Sequence, residues 1–133
     1  MNAAANRLGA WAPRVLSALR IVAAFMFMLS GASKLFGFPV APPGGTVVLM
    51  SQRGAAGVLE TFGGALLLLG LFSRPVAFLL SGEMAVAYFQ FHAPKGFWPT
   101  VNGGQAAVLY CFIWLYIFVS GPGPWSLDAM RKK

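Results

Sequence analysis

Apolar residues in this chain fall into four long runs, and the stretches between the runs are rich in glycine and proline. The runs cover about 15–36, 54–72, 76–93 and 104–120. At about 1.5 Å per helical residue, runs of this length approach the roughly 30 Å hydrocarbon core of a bilayer. The pattern predicts four membrane-spanning helices. The first interruption, residues 37–53, holds Pro39, Pro42, Pro43, Gly44 and Gly45, and helix cannot run through it. Within it, Val47-Val48-Leu49-Met50 is too short to span and is expected at the interface or folded into the protein. Ser73-Arg74-Pro75 predicts a tight turn. Residues 94–103 read as a loop whose Phe97 and Trp98 suit the headgroup level. Gly121-Pro122-Gly123-Pro124 ends the fourth run, and a short basic tail follows.

Residues 3–18 carry a different pattern. Leu8, Trp11 and Val15 share one helical face, and Arg7 and Arg14 share another. This predicts a short amphipathic helix lying on the membrane surface ahead of the first span. A rival reading takes Arg20, the apolar run 21–29 and Ser30-Gly31-Ala32 as a signal peptide with its cleavage site. We expect the stretch to be retained as a span.

Composition sharpens the picture. The 133 residues are 58% hydrophobic and only 10% charged, against about 25% charged in a typical soluble domain. A soluble chain this small has a large surface to cover with polar groups. The expected fold class is therefore an all-α membrane protein. It is a four-transmembrane-helix bundle with a short N-terminal amphipathic interfacial helix, forming a single domain over residues 1–133. The formal net charge of +7 is spread along the chain with no nucleic-acid motif, so nucleic acid is not an expected partner. The basic residues instead orient the bundle. Arg7, Arg14, Arg20, Arg74, Arg131, Lys132 and Lys133 fall on one side and Lys34, Arg53 and Lys95 on the other, which puts both termini in the cytoplasm. Cys111 stands alone in an apolar run, so no disulfide or dithiol centre can form within the chain, and it reads as a packing residue.

Four ionisable residues lie inside the expected spans: Arg20, Lys34, Glu60 and Glu83. A lipid-facing charge at the bilayer centre costs roughly 2.5–3.5 kcal/mol on insertion scales. These side chains should face the bundle interior, pair, or snorkel to an interface. Arg20, Phe27 and Lys34 share a face of the first helix, with Arg20 and Lys34 about 21 Å apart in depth. Depth matches Lys34 with Glu60 and, less closely, Arg20 with Glu83. Gly57, Glu60 and Gly64 form one face of the second helix, where small residues let a neighbour approach. Glu83, Ala87 and Gln90 form one face of the third. His92 points away from that face and should lie near Asn102 and Gln105. Together these residues outline a polar pocket opening toward the outer side. They serve either as structural pairs that fix helix order or as a proton- or redox-linked pocket, and the two roles are compatible. No metal-ligand spacing appears, so no metal is expected.

A series of short motifs then extends along nearly the whole chain. Arg20 is followed by Leu29-Ser30-Gly31-Ala32-Ser33-Lys34-Leu35, and then by Gly57-Val58-Leu59-Glu60 with Gly63-Gly64 and Ser73-Arg74. Glu83-Met84-Ala85-Val86-Ala87-Tyr88, Gly96-Phe97-Trp98-Pro99, Asn102-Gly103-Gly104 and Gly121-Pro122-Gly123-Pro124-Trp125-Ser126-Leu127-Asp128 complete the series. In this order and spacing the segments resemble the DoxX family of small bacterial membrane proteins. The resemblance implies a four-helix fold in the bacterial inner membrane and an association with membrane-bound oxidoreduction. Some relatives are subunits of a thiosulfate:quinone oxidoreductase, and others are tied to thiol and oxidative-stress systems. One position departs from the family, which commonly has Glu after Asn-Gly-Gly where this chain has Gln105, so an acid is lost there.

Two classes of function follow. The first is a subunit of, or accessory to, a quinone- or thiol-linked oxidoreductase. Aromatic and Met residues of the spans would line a quinone site, Glu60, Glu83 or His92 would handle protons, and a partner subunit would carry electrons. The second is a non-enzymatic scaffold or small-solute permease, or a protein that binds lipid or an isoprenoid. The bilayer is the expected environment, and a second copy of the chain is an expected partner.

Overall fold

The computed structural model describes residues 2–132; Met1 and Lys133, the latter part of the charge tally, lie outside them. All regular structure among the described residues is helical. The first helix, α1, runs without a break over Ala3–Phe36. The Asn2 side chain starts it by accepting the Ala5 N–H at 2.9 Å, and Gly37 ends it in the left-handed conformation at φ 71°. The expected division into an interfacial helix and a separate span is therefore corrected. Pro13 lies inside the helix and does not end it, because its missing N–H removes one backbone bond while Ala and Leu on both sides sustain the helix. At 34 residues α1 is about 51 Å long, and almost all of residues 2–15 are exposed.

The second rod, α2, covers residues 52–69 as α-helix Gln52–Val58, a π turn Leu59–Gly63 and α-helix Gly64–Leu69. The Ser51 hydroxyl caps it. The turn that follows uses two left-handed residues, Gly70 at φ 71° and Phe72 at φ 53°. The third rod, α3, covers residues 73–92 as Ser73–Ala87 with a terminal π turn Tyr88–His92. Ser73-Arg74-Pro75 is thus the first turn of α3 rather than a loop. Proline is tolerated there because the first N–H groups of a helix have no partner within it. A 3₁₀ turn Ala93–Lys95 and a single helical turn Pro99–Asn102 occupy the next connection. The fourth rod, α4, is Gln105–Ser120, and a short tail helix, α5, is Leu127–Arg131.

α1 packs along α2, and α3 along α4. The α1–α2 approach is close because Gly31 lies against Thr61 and the Gly57 carbonyl, and Gly64 lies against Met28. Phe27, Leu67, Leu80, Trp114 and Ile117 fill the centre, with Trp114 edge-on to Phe27 at 5.5 Å. The outside of the bundle is apolar: Val22, Phe62, Phe78, Leu79, Leu109, Phe112 and Val119 are exposed, while Arg20 and Glu60 are buried. Of the expected spans, α1 alone among the described residues is both long and apolar enough to cross a membrane, at a mean hydropathy of 1.9; α4 is apolar but shorter. The Val47–Met50 patch is largely exposed rather than folded inward.

Candidate functional site

Buried charge gathers at two ends of the bundle. At the tail end Arg20 is fully buried. Its guanidinium donates to the Leu67 carbonyl at 2.8 Å, to the Trp125 carbonyl at 2.6 Å and to the Pro122 carbonyl. Ser17 beside it accepts the Trp125 N–H at 3.1 Å. The expected Arg20–Glu83 pairing is corrected. A guanidinium has five donors, and here backbone carbonyls take three of them, at the end of α2 and along the folded-back tail. The tail is also held by Asp128, whose two carboxylate oxygens accept the Phe72 N–H at 2.9 Å and the Ser73 N–H at 2.8 Å. Asp128 therefore caps α3 from a distant part of the chain. Partial burial alone would raise its carboxyl, but the Ser73 and Phe72 N–H groups and the Arg131 charge outweigh this and hold it below its ordinary value.

The other end holds a cavity of about 540 Å³. Lys34, Glu60, Glu83 and His92 all line it. Lys34 and Glu60 pair as their depths suggest, with Nζ 2.7 Å from Oε1 and 3.0 Å from Oε2. Ser30, between them, donates to Glu60 Oε1 at 2.7 Å and accepts from Lys34 at 3.1 Å. Glu83 is different: both carboxyl oxygens are buried and neither meets a donor group among the described residues; its neighbour is the Glu60 carboxyl, close enough for the two acids to share a proton. His92 Nδ1 lies 3.2 Å from the Asn102 carbonyl. A carbonyl can only accept, so Nδ1 carries the hydrogen, and in the neutral ring Nε2 is left as an acceptor.

Besides Arg20, three expected members stand outside the cavity. Gln90 is exposed and bonded to Gln52. Its expected place beside Glu83 and Ala87 assumed a regular α-helix, but the π turn Tyr88–His92 widens the rod there and shifts the face. Gln105 opens α4 exposed, and the cavity wall is supplied by Ala106, Ala107 and Tyr110 instead. Asn102 is buried, but its side chain is committed to the loop. It donates to the Gly96 carbonyl at 2.6 Å and to Tyr88 Oη at 3.2 Å, and accepts the Gly104 N–H at 2.8 Å. It contributes by orienting His92. The spacing of the charges gave no hint that Ser30, Arg53, Lys95 and Tyr110 also line the cavity. Glu60 and His92 each sit in a π turn, Leu59–Gly63 and Tyr88–His92. Such turns are rare and recur at functional sites.

The DoxX family model matches residues 15–93, which carry every charged residue of the cavity except Lys95. A protein of Haemophilus influenzae, described as an uncharacterized protein, is 47% identical over 127 residues, covering 92% of this chain and 95% of its own length. No solved structure matches the chain. With more than half its length inside the family model and this relative alongside, the chain belongs to the DoxX family and is a membrane protein.

Proposed function

We propose that this chain is a multi-pass protein of the bacterial inner membrane, with four spans, both termini in the cytoplasm and one domain. Its cavity is the small-molecule site of a quinone- or thiol-linked oxidoreductase system. An electron-carrying partner subunit supplies the redox chemistry, and the chain supplies binding and proton handling.

Several features support the span count. The rods α2, α3 and α4 are about 27, 30 and 24 Å long, close to the roughly 30 Å hydrocarbon core. Each rod presents apolar side chains outward, and Arg20 and Glu60 are turned inward. Lipid is the solvent that favours this inversion.

The observation that carries the site is Glu83. A buried carboxyl whose neighbour is a second carboxyl is costly to keep, and it lines a cavity beside an ion pair and an oriented histidine. That combination suits ligand binding and proton exchange better than a purely structural role. Purified with its partner, the chain should reduce a quinone analogue, and Glu60→Gln should block turnover. Full turnover in that variant would sink the assignment.

A second reading places a lipid or isoprenoid tail in the same cavity, supported by the walls of Phe27, Met84 and Phe91. Mass spectrometry of co-purified small molecules separates the two. A permease is less well supported, because the packed layer of Phe27, Leu80 and Trp114 closes the bundle beneath the cavity.

A further inference from the structure

The cavity is chemically two-ended. Lys34 and Glu60 satisfy each other, so they cancel in the balance of charge. Arg53 and Lys95 remain. Arg53 comes from the first turn of α2 and Lys95 from the 3₁₀ turn after α3. Both are exposed, both line the cavity, and neither makes an ion pair among the described residues. They place two unmatched cations at the mouth. Inside lies the Glu83 carboxyl, which meets no donor group among the described residues and has the Glu60 carboxyl as its neighbour, with His92 also on the wall. Between the ends the wall is aromatic and apolar: Phe27 and Tyr110 lie 4.9 Å apart, with Met84 beside them.

Each simple ligand class meets only part of this arrangement. A neutral quinone offers acceptors alone and brings no anion to Arg53 and Lys95. An inorganic anion can answer Arg53 and Lys95 but brings no apolar body to the wall. A cation meets repulsion at the mouth. A ligand with an acid group at one end and a hydrogen-bond donor at the other answers both. We infer that the cavity takes a small aromatic organic acid, with its anionic group between Arg53 and Lys95 and its donor group on Glu83. The inference rests on the reading of this cavity as a small-molecule site and narrows what that site admits. The volume of about 540 Å³ holds a single-ring acid with room to spare.

The test is calorimetry on the full chain in lipid nanodiscs with four probes: 4-hydroxybenzoate, benzoate, 4-hydroxybenzamide and decylubiquinone. 4-Hydroxybenzoate should bind about ten-fold more tightly than benzoate, which lacks the donor, and than 4-hydroxybenzamide, which lacks the charge. The double variant Arg53→Gln/Lys95→Gln should erase the advantage over the amide. Both residues are exposed and unpaired, so the double variant should fold normally. Glu83→Met should erase the advantage over benzoate, with a thermal melt confirming that the bundle is intact. Equal binding of acid and amide overturns the anionic head, and equal binding of 4-hydroxybenzoate and benzoate overturns the donor end. If decylubiquinone alone binds, the acid inference fails and the site stands. If none of the four binds, both fail.

Discussion

The tail end and the cavity end both bury charge, and they satisfy it differently. At the tail end Arg20 is buried with carbonyls from α2 and from residues 122–125 around it, all fixed by the fold. At the cavity end one ion pair is complete and a second carboxyl, Glu83, sits beside it with no cation or other donor group of its own. A buried group whose hydrogen bonds are all met from within stabilises a particular arrangement of the chain. One that is left unmet is costly, and its partner is to be sought outside the chain. If this contrast is right, charge removal at the tail end should register in stability, and removal of Glu83 should register in binding.

The largest loss of stability should come from Arg20→Ala. It strands one buried and two part-buried carbonyls and opens a cavity, for a cost of about 3–5 kcal/mol. Arg20→Lys should recover only part, because an ammonium cannot reproduce the planar fork that reaches three acceptors. Thermal unfolding in detergent reads both. A melting point for Arg20→Ala equal to that of the parent would remove the tail clasp from the account.

Next comes the ion pair. Lys34→Met leaves Glu60 buried and without its cation, a loss of about 3 kcal/mol. The double variant Lys34→Met/Glu60→Met removes both charges and should return most of it, because two apolar side chains need no partner. A double variant as unstable as the single would mean that the pair contributes more than mutual neutralisation.

The Lys34–Glu60 pair was legible in the sequence, and the Arg20 clasp was not, for a physical reason. Depth arithmetic along two antiparallel helices brings side chain to side chain, and Lys34 and Glu60 obey it. Arg20 is matched by main-chain carbonyls, which every residue carries and which leave no mark in composition. Only the fold-back of Gly121-Pro122-Gly123-Pro124 brings two of them into reach. Helical spacing likewise placed Phe27 and the Gly57–Gly64 face correctly. It failed at Gln90, where one widened turn shifts every later residue, and at Pro13, where a residue that usually ends a helix is carried inside a long one. Arg53 and Lys95 read only as loop charges, since nothing local shows that two separate connections meet over one cavity.

A smaller effect belongs to Asp128, which caps α3 through Phe72 and Ser73. Asp128→Ala should cost about 1 kcal/mol. Its carboxyl lies below its ordinary value when folded. Its contribution is therefore complete above the unfolded value of about 4, and is lost as pH falls through the lower folded value. Melting curves of parent and variant should thus be separated at pH 7 and converge in strong acid. A gap that widened on acidification would reverse the sign and exclude the cap as its source.

The smallest change in stability should follow Glu83→Met, and this variant tests the contrast most sharply. Removing a charge normally destabilises when it strands a partner, as at Arg20 or Lys34. The neighbour of Glu83 is the Glu60 carboxyl, which keeps Lys34 and Ser30 when Glu83 is removed. Replacement by an apolar side chain of similar length removes a desolvation cost and the crowding of two acids. The melting point should therefore hold or rise, within about 0.5 kcal/mol of the parent or above it. Binding to the cavity should fall in the same variant, because the inner acceptor is gone. A clear loss of stability would mean that the Glu60 and Glu83 carboxyls hold the bundle together, and the cavity end would then be a second clasp like the first.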